Sequence, residues 1–225
     1  MFLSGGQGCM LRQGCLFFFL ILLSTTTSWS QEIEVEADVA LAIPQKTYDA
    51  AKKAFDIATA WGEVKTSYLA IIDFNLPSTA KRFWLIDTAT SKVLFNDFVA
   101  HGKASGDNYA KTFSNILGSN TSSLGGFRST EIYWGKHGIS LRLEGLEPGI
   151  NDQAEARDIV IHGADYVSQD FINKNGRLGR SLGCPALNFS ISEKVIRTLD
   201  RGSFVFAYFD DASYFASSKY FVKTP

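Results

Sequence analysis

Cysteine is scarce in this chain: three in 225 residues, and two of them, Cys9 and Cys15, fall in a compositionally distinct start. Charge of one sign is also lacking, with 22 basic against 23 acidic residues, so binding nucleic acid through charge alone is excluded. Long hydrophobic runs are missing too. The longest, Leu16–Leu23, holds eight apolar residues, well under the ~20 that span a bilayer. Arg12 precedes that run, and Ser28-Trp29-Ser30 supplies a small-x-small exit after it, the pattern of a secretory signal. Met10 offers a second start just ahead of the run. Cleavage after Ser30 leaves 195 residues with a net charge of −2 and one thiol, Cys184. The expectation is an exported, periplasmic protein with no stable membrane anchor, no nucleic-acid partner and a monomeric state. An intrachain disulfide and a cysteine zinc cluster are both excluded for that mature chain. A single thiol carried into an oxidising compartment is buried and inert, paired with another molecule, or a working nucleophile.

The remaining sequence divides at Gly62. Residues 31–43 read as an extended lead-in. Pro44 to Trp61 has helical spacing, with Tyr48, Ala51, Phe55, Ala58 and Trp61 three or four apart. We therefore divide the chain into a signal over 1–30, a helical lead-in over 31–65 and a catalytic unit over 66–225. In that last unit Tyr68–Phe74, Arg82–Asp87 and Val93–Ala100 read as strands, the last two joined as a hairpin. Residues 102–126 form a long polar loop, a length that usually signals function. Phe127–Trp134, Ile139–Leu143, Asp158–His162 and Ser203–Phe209 are further strands. Helical spacing returns at Tyr166–Ile172, with Asp165 as its expected cap, and Ser190–Glu193 reads as a capping box. The fold class is mainly β with peripheral helices, a sandwich or barrel-like sheet with an N-terminal helix.

Three histidines, His101, His137 and His162, are each followed by glycine. His162 ends the apolar run Ile159-Val160-Ile161, and Cys184 follows 22 residues later in Ser181-Leu182-Gly183-Cys184-Pro185. An imidazole beside a thiol raises its thiolate fraction. Gly183 would let the backbone approach a substrate, and Pro185 suits the start of a helical turn whose dipole would favour the thiolate. Two plainer readings compete. A lone cysteine beside proline is often a small buried hydrophobe. The three histidines with Cys184 form the other alternative, a zinc site, but their spacing lacks H-x-x-x-H, so no metal is assigned. His101, Tyr133 and Trp134 read as structural, and Arg177 and Arg180 as either carboxylate-recognising or simply solvated.

His162-Gly163, seventeen intervening residues (164–180) and Ser181-x-Gly183-Cys184 together resemble the signature of the L,D-transpeptidase (YkuD-like) catalytic domain. The closer likeness is to the murein L,D-transpeptidase catalytic-domain branch. It is carried by His101-Gly102-Lys103, Phe113-Ser114-Asn115, Ser122–Gly125, Gly135–Gly138, Ser140–Leu143 and Gly176–Ala186, in order, from about Leu69 to Tyr208. The resemblance implies Cys184 as nucleophile, His162 as base, and Gly163 as the residue whose carbonyl orients the imidazole in place of a carboxylate. It implies a peptidoglycan stem tetrapeptide as substrate and no cofactor. Gly183 and Ser181 fall at substrate-binding positions. Two positions depart from the pattern: Leu182 stands where the signature has histidine, and Ala186 where it has arginine, while Asn188 conforms. Arg180 or His137 are the candidates to replace them. The expected chemistry is acyl transfer to an amine (transpeptidase) or to water (L,D-carboxypeptidase). A non-catalytic wall-binding protein on the same fold is the alternative of another class. A papain-like protease would place its cysteine before its histidine and on a helix.

Overall fold

The computed structural model describes residues 43–222. The signal and most of the extended lead-in lie outside the described residues. α1 spans Gln45–Ala60 and buries Thr47, Ala51, Ala54, Phe55 and Ala58, a stripe at helical period. Pro44 opens it, its carbonyl accepting from Thr47 and Tyr48 N–H. Past its end, Gly62 takes φ +73°, a left-handed conformation that breaks the helix. Phe55 meets Phe204 edge-on, ring centroids 6.1 Å apart, a burial worth about 2–3 kcal/mol. Trp61 stays half-exposed and stacks on Tyr220.

Nine strands follow among the described residues: β1 Tyr68–Asp73, β2 Phe83–Asp87, β3 Lys92–Asp97, β4 Val99–Ala100, β5 Gly125–Gly135, β6 Gly138–Gly145, β7 Val160–Ala164, β8 Ala186–Asn188 and β9 Phe204–Tyr208. They form one sheet in the order β3-β2-β1-β9-β5-β6-β7-β8-β4. Its two edge strands, β3 and β4, are consecutive in the chain with only Phe98 between them. The sheet therefore curls until it is nearly closed, a barrel whose seam is bridged covalently. The sequence reads 93–100 as one strand. The structure bends it at Phe98, whose N–H is captured by the Asp97 carboxylate at 2.8 Å. Before the bend, burial alternates between exposed and half-buried. After it, Val99 and Ala100 are fully buried against β8.

β1 and β9 run parallel at the centre and are apolar on both faces, Leu69–Ile72 and Phe204–Phe206 all nearly inaccessible. β5 and β6 make a long hairpin that ends in the exposed turn Lys136-His137. β7 pairs antiparallel with β6 and parallel with β8, so a crossover must connect β7 to β8. It contains α2, Gln169–Asn175, capped by Ser168 Oγ accepting from Phe171 N–H, not by Asp165. A small cluster of Phe98, Ala100, Ala164, Val167, Leu178 and Ala186 seats this crossover on the sheet. α3, Phe189–Thr198, is capped two residues earlier than the Ser190–Glu193 box predicts. Asn188 Oδ1 accepts from Ser190 N–H at 2.8 Å, and Glu193 pairs with Arg197 instead. α4, Ala212–Ser217, is the last helix among the described residues and sits under an Asp211 cap.

Candidate active site

The parallel β7–β8 pair sets the site. His162 is the register partner of Ala186, and Cys184 precedes Ala186 by the two residues that separate Val160 from His162. Cys184 therefore stands beside Val160, whose N–H approaches Sγ at 3.5 Å. The thiol itself points at Asp158 O, 3.4 Å away. No hydrogen bond joins it to His162 among the described residues. Pro185 leads into β8 and not into a helical turn, so the helix dipole expected at Cys184 is not there. Burial pushes the Cys184 thiol up, and the Val160 N–H and the Arg157 charge oppose it.

The loop before Cys184 is fastened from both sides. Ser181 Oγ accepts from Gly183 N–H at 3.1 Å and donates to Cys184 O at 2.6 Å. Ser181 N–H donates to His101 O, and Lys103 N–H to Ser181 O, which makes Gly102 and Ser181 a parallel bridge. The Gly183 N–H is thus engaged within the loop and not aimed at a substrate. Gly183 is required for another reason. Its φ is +133°, and an added Cβ would lie 2.8 Å from Thr121 O and 3.3 Å from Arg157 Nη2. Its open face receives Thr121 of the polar loop and Arg157, and not a substrate.

His162 is buried and sits on a strand with its imidazole fixed. Nδ1 donates to Gly163 O at 2.9 Å, a tautomer that leaves Nε2 as the acceptor. Burial holds its pKa below the ordinary histidine value. The Gly163 carbonyl opposes this, and the charges of His137 and Lys136 add to it. Gly163 has no room for a side chain: a Cβ would lie 2.5 Å from the Phe189 ring. His137, from the β5–β6 turn, stacks on His162 with centroids 4.4 Å apart and planes at 24°. Arg180, the other replacement candidate, is occupied elsewhere. It donates to Gly106 O at 3.1 Å and pairs with Asp107, which Arg177 also holds. Leu182 and Phe189, 59% and 57% exposed, give the site an apolar rim.

His101 is fully buried, away from solvent. Its Nδ1 accepts from Arg82 Nη2 at 2.7 Å, and Nε2 faces Gly106 O. Burial first, then the Arg82 charge, lowers its pKa to about 4, so it is neutral at pH 7. Arg82, equally buried, also donates to Leu76 O and Val99 O. It ties the barrel seam to the strand extension that holds Ser181. Sequence reasoning missed Arg82 and Arg157. Neither lies in a motif; Arg157 stands out only as a cation ending the turn that feeds the His162 strand.

With this geometry in place, comparison with known proteins identifies the family. The model of the L,D-transpeptidase catalytic domain matches residues 40–208, and the chain belongs to that family. Comparison with curated protein sequences found no match. Among solved structures, similarity extends to an L,D-transpeptidase from Mycobacterium smegmatis, with 12% identity, TM-score 0.41, and coverage of 64% of this chain and 59% of that one. It extends also to L,D-transpeptidases from Xylanimonas cellulosilytica (14%, 0.37, 71% and 77%) and Stackebrandtia nassauensis (15%, 0.37, 73% and 66%). The chain spans 59% of the length of the mycobacterial structure.

Proposed function

We propose that this protein is an exported peptidoglycan L,D-transpeptidase that acts by cysteine acyl transfer on stem tetrapeptides. The observation that carries the reading is His162. Its Nδ1–H is committed to Gly163 O and its Nε2 is left as a base, two residues in the β7–β8 register from the single thiol of the catalytic unit. In the proposed cycle the Cys184 side chain leaves Asp158 O, and its proton passes to His162 Nε2. The thiolate attacks the carbonyl between the L- and D-centres. The tetrahedral intermediate collapses, the C–N bond breaks, and D-alanine leaves with the proton from His162. The thioester is then attacked by an amine of a second stem, deprotonated by His162, which forms the cross-link and frees Cys184. With water as acceptor the same cycle trims tetrapeptide to tripeptide, an L,D-carboxypeptidase. The Cys184 N–H is the candidate oxyanion donor, a contact worth about 3 kcal/mol. His137 and the apolar rim are the substrate contacts this reading favours, with Ser181, Gly183 and Arg180 acting within the loop scaffold.

Export rests on the leader sequence; no helix among the described residues is long and apolar enough to cross a membrane. Incubating the mature protein with disaccharide-tetrapeptide and weighing the products tests the proposal. A cross-linked dimer or a tripeptide supports it and separates the two acceptors. Unchanged substrate from a folded protein with a titratable thiol contradicts it.

A further inference from the structure

Arg157 ends the turn between β6 and β7, immediately before the Asp158 whose carbonyl meets the Cys184 thiol. Its guanidinium is satisfied entirely by neutral oxygens: Ser114 O and Ser123 Oγ on Nη1 at 2.6 and 2.5 Å, Thr121 O and Ser119 Oγ on Nη2 at 2.6 and 3.2 Å. Arg128, Arg142, Arg177, Arg180 and Arg197 each pair with a carboxylate. Arg157 has no carboxylate at ion-pair distance among the described residues. It is half-buried, and four bonds from one loop hold it in place. That place is against the nucleophile's own backbone. Nη2 lies 3.3 Å from the point where Gly183 would carry a Cβ, and its acceptor Thr121 O lies 2.8 Å from the same point.

A cation held by neutral partners keeps its full charge for the next ionisable group. The ionisable groups around Cys184 are Arg157 and Asp158 from the turn and Tyr166 from the crossover, with His162 of β7 two residues away in the strand register. Arg157 is the permanent cation among them. β8 supplies none, since Ala186 follows Pro185.

We propose that Arg157 is a positioning residue that stabilises the Cys184 thiolate, so that the nucleophile's counter-charge comes from the β6–β7 turn and not from the strand that follows the cysteine. The proposal rests on the reading of Cys184 as the nucleophile. It also gives the polar 114–123 loop a role: it is the cradle that fixes the guanidinium.

The test follows the rate of iodoacetamide alkylation of the mature protein against pH, without substrate. Arg157→Gln should raise the thiol midpoint by about one pH unit, a tenfold loss of thiolate at neutral pH. Arg157→Lys, which keeps the charge but not the fork, should move it by less than half as much. A Gln variant that is folded by circular dichroism and titrates with the unsubstituted protein overturns the proposal. So does a Lys variant shifted as far as Gln. If neither variant folds, the side-chain ¹⁵N resonances of Arg157 decide the matter in the unsubstituted protein. They must titrate with the Cys184 midpoint and lose that step in Cys184→Ser; a flat response overturns the proposal. If this thiol response is present but no peptidoglycan product forms, the function reading fails and the charge pairing stands.

Discussion

His137 lies on the face of His162, ring centroids 4.4 Å apart. The turn that carries His137 is the exposed tip of the β5–β6 hairpin and brings Lys136 with it. Two basic groups over a buried imidazole disfavour its protonation, on top of the cost of burial. His162 is therefore held neutral, with its pKa below the ordinary value. In His137→Ala the ring is uncovered and a like charge is removed, so the His162 pKa rises toward the ordinary value. The acid limb of the kcat/KM profile should move to higher pH. A limb that stays in place would show that the stack has no part in tuning the base.

The Gly163 carbonyl accepts from His162 Nδ1–H at 2.9 Å. The Gly163→Ala methyl would collide with the Phe189 ring and with Ser192 Oγ, at 2.5 and 2.7 Å. The backbone must shift, and the acceptor of His162 Nδ1 shifts with it. A misplacement of about 1 Å costs about 100-fold in rate. We expect that loss in kcat with the thermal midpoint lowered only modestly. Full activity in Gly163→Ala would show that the His162–Gly163 bond does not orient the base.

The Arg82–His101 pair makes stability depend on pH. His101 is depressed to about 4 in the folded state, against an ordinary value of 6.5. Below pH 6.5 the unfolded chain takes up a proton that the folded protein refuses, so stability falls as pH drops toward 4. Over that window the loss is about 3 kcal/mol, and His162 contributes in the same direction. Urea unfolding at pH 7.5 and 4.5 measures it. His101→Gln should be less stable at pH 7.5 yet lose less on acidification; an equal loss would contradict the assignment.

Much of this architecture is legible in residue pattern. The α1 stripe, the buried β1 and β9 runs and the long hairpin follow from periodicity and β-branched content. The single thiol and the His162-Gly163 spacing single out Cys184 and His162, which the parallel β7–β8 register places two residues apart. Features made by tertiary packing are not legible. The bend at Phe98 depends on one side-chain bond from Asp97, which converts an apparent single strand into both edges of the sheet. The caps at Ser168 and Asn188 displace Asp165 and Ser190, because several side chains in each loop offer an equivalent oxygen and packing of the crossover chooses among them. Arg82 and Arg157 carry no local signal, since their importance lies in which distant carbonyls they reach.

Glu147 is a comparable hidden residue. It is nearly inaccessible, yet its carboxylate accepts from Gly126 N–H at 2.7 Å, from Tyr214 OH at 3.1 Å and from Ser218 Oγ. It pins α4 and the following Ser218 to the start of β5. Glu147→Ala strands these donors and should cost about 2–4 kcal/mol by urea unfolding. Burial raises the Glu147 pKa, so its stabilisation is complete below the ordinary carboxylate pKa and falls as pH rises through the folded value. Glu147→Gln, free of that ionisation cost, should lose less than Ala. Equal losses would remove Glu147 from this role.

The central claim is that acyl transfer passes through Cys184. Intact-protein mass spectrometry after rapid quenching with disaccharide-tetrapeptide measures it most directly. The account predicts a covalent adduct of the disaccharide-tripeptide acyl group with release of D-alanine, and neither adduct nor D-alanine from a folded Cys184→Ala protein. An adduct or D-alanine release that persists in Cys184→Ala would contradict it.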